Sequence, residues 1–197
     1  MQTRIQTFLS PLAMLAVACV VLAALAASAR AQAVPVPEIL PDETALLRSG
    51  ALKTTRQTIH YSGRERPGTI IINTGRRTLS LILRGHKALR YRIGVGRDGF
   101  EWKGRHRISR KVKWPVWIPP KEMLQRQPYL PGRMPGGLYN PLGARAIYLG
   151  STLYRVHGTI ETWTVGDAVS SGCFRMLNDD VIDLYDRVHL GATVVVN

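Results

Sequence analysis

The chain has 197 residues, 45% of them hydrophobic, which is room for one ordinary globular domain with an apolar core and rules out a wholly disordered chain. Lysine and arginine number 27 against 13 acidic residues, a formal net charge of +14. Nucleic acid is the usual partner of so basic a chain, but the N-terminus directs it elsewhere.

Residues 1–31 have the pattern of a secretory signal peptide. Arg4 is the positive start, residues 8–25 form an apolar run, and Ala29-Arg30-Ala31 is a small-x-small cleavage site, with cuts after Ala29 or Ala33 as alternatives. The run is close to spanning length, so an uncut leader would serve as an anchor and would be the protein's one membrane attachment. Cys19 follows Ala16-Val17-Ala18, but the leucine of a lipoprotein signal is missing and the apolar run continues past the cysteine. The leader has two arginines and no acidic residue, so its removal leaves a net charge of +12. An exported protein of that charge meets acidic lipids and a carboxylate-rich cell wall rather than nucleic acid.

Residues 32–67 are expected to be a linker, stiffened by Pro35, Pro37 and Pro41, with a short helix after Pro41 and no chemistry; His60 is a surface residue on this reading. Strands begin at Thr69. The apolar run 69–73, the alternation of Leu79, Leu81 and Leu83, and the stretch 89–95 predict three short strands in a meander, with Arg84-Gly85-His86-Lys87 as one turn. Gly94, Gly96 and Gly99 end it, and because no helix opens after them they signal a bend rather than a phosphate cradle.

Residues 100–143 are the least regular part by pattern. Trp102, Trp114 and Trp117 stand among basic residues, a short helix is predicted over 121–127, and a Pro/Gly-rich loop follows, as in segments that border binding grooves. His106 lies between two arginines with no evident partner. After an apolar run at 147–149 comes His157-Gly158-Thr159, a loop, and Ser170-Ser171-Gly172-Cys173-Phe174-Arg175. Asn178 or Asp179 is expected to cap a helix carrying Val181, Tyr185 and Val188 on one face, with Gly191 past its end and a closing strand over 193–196. The expected fold is mostly β, a curved sheet or sandwich with one or two short helices.

Cys173 is the one cysteine left once the leader is removed, and small residues flank it. A free thiol titrates near about 8.5, so a nucleophilic cysteine needs a neighbouring base or positive group. His157 lies 16 residues upstream, a span two adjacent strands and a loop can cover. The pair would serve as nucleophile and general acid/base in acyl transfer, with backbone N–H groups around Gly172 and Cys173 as oxyanion donors. The bland alternatives are a small buried cysteine and a satisfied core histidine. His189, 16 residues beyond Cys173, would suit a Cys-before-His order, but a position in the last turn of a helix accounts for it. Five scattered histidines without clustered carboxylates suggest no metal site, and no cofactor is expected.

The combination of His157-Gly158-Thr159, Ser170 through Met176 and Asn178-Asp179-Asp180, with Asn140-Pro141-Leu142-Gly143-Ala144-Arg145 and Tyr148-Leu149-Gly150 upstream, resembles the L,D-transpeptidase catalytic domain, the YkuD-type domain, over residues 68–197. The resemblance implies that Cys173 is the nucleophile and His157 the proton donor/acceptor. It further implies that the Gly158 carbonyl orients the imidazole and that Ser170, Ser171, Gly172 and Arg175 border the substrate. Ser171 stands where many members have a second histidine, and Phe100-Glu101-Trp102-Lys103-Gly104 replaces a Thr-Pro-x-Gly segment.

By the same resemblance the protein acts in the periplasm on peptidoglycan stem peptides. Cys173 would form a thioester with the third stem residue, release D-alanine, and pass the stem to an amine of a second stem or of an outer-membrane protein. Two other readings stand beside this one: a non-catalytic wall-binding module, and a thiol carboxypeptidase that uses water.

Overall fold

The computed structural model describes residues 54–197. The expected signal peptide, Cys19 and residues 32–53 of the expected linker lie outside them.

The meander forms as its alternation predicts. β2 (Ile70–Asn73), β3 (Thr78–Leu83) and β4 (Lys87–Arg92) pair antiparallel in sequence, burying Ile70, Ile72, Leu79, Leu81, Leu89 and Tyr91 on one face. Gly85 and His86 take left-handed backbone angles at the β3–β4 turn, φ +72° and +54°. β1 (Gln57–His60) adds to the outer edge of β4, so the stretch read as linker contributes a strand. None of its residues is buried, and an edge strand without a core face leaves no hydrophobic period in the sequence.

β5 (Val95–Gly96) ends this half. The irregular stretch then departs from expectation, because residues Gly104–Lys113 form β6, the longest strand. Its arginines face solvent, Lys111 is half-buried, and Ile108 is its one buried side chain. Neighbours on both sides hold it: β11 (Thr193–Val196) and β7 (Arg145–Leu149), the latter with a register shift between Ile108 and Arg110. After α1 (Lys121–Arg126) the Pro/Gly loop is tied by buried Asn140. The Asn140 amide donates to the carbonyls of Pro115 at 3.0 Å and Pro135 at 2.8 Å, and its Oδ1 accepts the Leu142 N–H.

β8 (Arg155–His157) pairs antiparallel with β7, β9 (Ala168–Ser170) pairs with β5, and β10 (Phe174–Arg175) runs parallel to β8. The result is a nine-stranded curled sheet in the order β1-β4-β3-β2-β11-β6-β7-β8-β10, with β5-β9 as a separate pair. α2 (Asn178–Arg187) packs Val181 and Leu184 into the core against β7. Leu177 holds its cap position without a side-chain bond, and Asn178 is the first helical residue. The Asn178 amide is spent on a tertiary contact, which is why the expected side-chain cap is missing.

Candidate active site

Of the two residues that the sequence singles out, His157 ends β8 and Cys173 directly precedes β10. The register of these strands sets Val156 opposite Phe174 and His157 opposite Arg175. Val156 and Phe174 fill the core at 0% and 1% exposure. Side chains alternate along a strand, so Arg175 leaves β10 on the face opposite Phe174, the same face on which its register partner His157 leaves β8.

His157 is buried, and its Nδ1 lies 2.5 Å from the Gly158 carbonyl oxygen. A carbonyl only accepts, so Nδ1 carries the proton and Nε2 keeps its lone pair. Burial pushes the imidazole down to about 3; the bond to Gly158 opposes this, while the charges of Arg155 and Arg175 add to it. The ring is therefore neutral at neutral pH, with a base nitrogen free.

Gly158 is glycine for space. A Cβ there would overlap Asn178 Oδ1 and come within 3.2 Å of Val181 Cγ1. That same Oδ1 accepts the Ala144 N–H at 2.9 Å. The first residue of α2 thus packs closely against Gly158 while it ties down Ala144.

Cys173 is half-buried and unpaired, its Sγ 4.0 Å from the Leu153 carbonyl oxygen. The loop before it is fixed from three sides. Ser170 Oγ donates to the Cys173 carbonyl at 2.6 Å and accepts the Gly172 N–H at 3.1 Å. Arg97 donates to Ser171 Oγ at 3.2 Å, and Trp102 Nε1 donates to the Gly172 carbonyl at 2.8 Å. Trp102 stacks on Tyr154 with ring centroids 4.4 Å apart. Gly172 sits at φ +98°, and a Cβ on it would stand 2.6 Å from the Tyr154 ring. The expected pair of oxyanion donors reduces to one, because the Gly172 N–H is already bound; the Cys173 N–H enters none of the loop's hydrogen bonds.

Arg175 turns to the loop after β8, meeting Glu161 at 2.5 Å and Thr164 Oγ1 at 3.2 Å. Of the other histidines, His106 packs edge-on against Trp102, and His189 lies exposed beyond the end of α2, near Gly68. Among the described residues no group of three His, Cys, Asp or Glu could hold a metal ion. Trp102, Tyr154, Asn178 and Glu161 were not singled out as site residues by sequence. Trp102 carried a signal in its place among basic residues beside a glycine-rich bend, and Asn178 in the Asn-Asp-Asp motif.

This curled, mostly-β chain, with His-Gly-Thr at the end of one strand and a Ser-Ser-Gly-Cys loop leading into the strand beside it, belongs to the L,D-transpeptidase catalytic domain family, whose model (YkuD) matches residues 67–196. The chain is 39% identical over 110 residues to the "Probable L,D-transpeptidase ErfK/SrfK" of Salmonella typhimurium, a match covering 52% of this chain and 35% of that protein. It thus spans little more than a third of the length of that relative. Among solved structures, an L,D-transpeptidase from Mycobacterium smegmatis shares the fold at TM-score 0.51 and 19% identity, covering 66% of this chain and 58% of that one. A Brucella melitensis protein, described as a probable carnitine operon oxidoreductase, is 47% identical at TM-score 0.50, covering 75% of this chain and 96% of that one.

Proposed function

We propose that the protein is a periplasmic L,D-transpeptidase in which Cys173 is the nucleophile and His157 the proton donor and acceptor. The observation that carries this reading is the parallel pairing of β8 with β10, which sets the strand ending in the neutral His157 imidazole beside the strand that begins one residue after Cys173. Nε2 of His157 takes the thiol proton as sulfur attacks the carbonyl of the third stem residue, and the Cys173 N–H receives the developing oxyanion. His157 then protonates the departing D-alanine nitrogen, leaving a thioester. An amine from a second stem or an outer-membrane protein is deprotonated by His157 as it displaces the sulfur. Export through the N-terminal leader and a charge suited to the acidic wall support this location.

Incubation with a disaccharide tetrapeptide tests the reading. Released D-alanine with dimers joined between third residues is the expected product, and Cys173→Ala yields neither. Tripeptide alone would make the enzyme a carboxypeptidase. No reaction, together with no mass adduct on Cys173 from a carbapenem, would make it a wall-binding module.

A further inference from the structure

Arg175 extends from the strand position next but one to Cys173, about 6.5 Å along β10, and it is register partner to His157. Its guanidinium is occupied by a carboxylate of the protein itself, Glu161, with Thr164 Oγ1 as a second contact. Glu161 belongs to the exposed turn after β8, and its side chain is 43% exposed against 23% for Arg175. The backbone of Glu161 is pinned on both sides: its N–H donates to Thr159 Oγ1 at 3.0 Å and its carbonyl accepts Thr164 Oγ1 at 2.7 Å. Only the carboxylate end is free to leave, by side-chain rotation, with no movement of the loop.

A half-exposed ion pair of this kind contributes about 0–1 kcal/mol, so another carboxylate can replace it at little cost. We infer that Glu161 is an internal stand-in for a substrate carboxylate: it occupies on Arg175 the place that the terminal carboxylate of the stem peptide takes, and swings out when that peptide binds. This rests on the stem peptide lying against Cys173, as proposed above. Arg175 holds the substrate, and Glu161 sets how strongly it must compete to bind.

The experiment measures binding where no turnover is needed. Calorimetry on Cys173→Ala compares a stem tetrapeptide having a free C-terminal carboxylate with its C-terminal amide, each also on Cys173→Ala/Glu161→Gln. Removing the internal competitor should tighten the free acid by up to about fivefold, the range such a pair's worth converts to, and leave the amide unchanged. A loop-tethering role for Glu161 would instead weaken both peptides alike, and that result overturns the inference, as does failure of the free acid to bind. The turnover assay on the unmodified protein is separate: if the gate effect is seen while no D-alanine is released, the carboxylate site stands and the transpeptidase reading falls.

Discussion

Thr55→Val should destabilise the domain far more than a change ahead of the family-matched span ordinarily would. Asp180, on the first turn of α2, is fully buried, and its carboxylate is met by residues 54 and 55. Thr54 Oγ1 donates to Oδ1 at 2.5 Å, Thr55 Oγ1 to Oδ2 at 2.6 Å, and the Thr55 N–H reaches both oxygens at 3.1 and 3.2 Å. Thr55 Oγ1 also accepts the Arg92 N–H from the end of β4 at 2.8 Å, tying strand, helix and the pre-domain segment together. Valine keeps the shape and removes the hydroxyl. One hydrogen bond to a buried charge is lost, at about 1.5–3 kcal/mol; Arg92 is exposed, so water takes over its N–H at little cost. Urea unfolding should show a loss of about 2–3 kcal/mol, and thermal melting a fall of about 5–10 °C. Thr55→Ser keeps the hydroxyl and should stay within about 0.5 kcal/mol of the parent. If valine is as harmless as serine, the segment does not anchor α2 and the reasoning fails.

Gly172→Ala combines a left-handed backbone with a Cβ driven at Tyr154; it should slow carbapenem acylation of Cys173 at least about tenfold while costing about 1–3 kcal/mol of stability, and unchanged acylation would show that the loop's geometry is dispensable. The folded state holds His157 neutral down to about 3 whereas the unfolded chain protonates it near 6.5. As pH falls through the unfolded value the denatured state therefore gains a proton the native state refuses, and stability drops by up to about 1.4 kcal/mol per pH unit until the folded value is passed. His157→Gln should flatten that part of the urea-midpoint profile between pH 6.5 and 4; an unaltered slope would place the proton uptake elsewhere.

The meander was legible because Leu79, Leu81 and Leu89 are buried on a period that the sequence displays directly. β6 was hidden because a strand paired on both sides needs only Ile108 inward, and its arginines and lysines read as loop. β1 was hidden for a similar reason, having no buried residue at all. The pairing of β8 with β10 fits the 16-residue spacing of His157 and Cys173, but the surroundings of the two residues were not legible. Trp102 and Gly172 are 70 residues apart, and Asn178 and Ala144 are 34. Those contacts depend on the crossover that places β10 beside β8, and no local period encodes it. The helix shows the same limit: Asn178 has the chemistry of a cap, yet its oxygen goes to Ala144 because the chain brings an unpaired N–H there.

The electrostatics around His157 bear on when the proposed pair exchanges its proton. A histidine oriented by a carboxylate gains a full counter-charge for its protonated form; here the orienting group is the Gly158 carbonyl, and the charges of Arg155 and Arg175 oppose protonation. A resting thiolate-imidazolium pair would put a cation in a buried site between two arginines, so the proton must leave sulfur only as the carbon-sulfur bond forms. Alkylation of Cys173 by iodoacetamide, followed by mass spectrometry from pH 4 to 10, reads this directly. The rate should rise in a single step governed by the thiol, and His157→Gln should keep the shape of the profile. A stored ion pair would instead give a reactive plateau at pH 5–7 that vanishes in His157→Gln, and such a plateau would show that the imidazole is charged in the resting site.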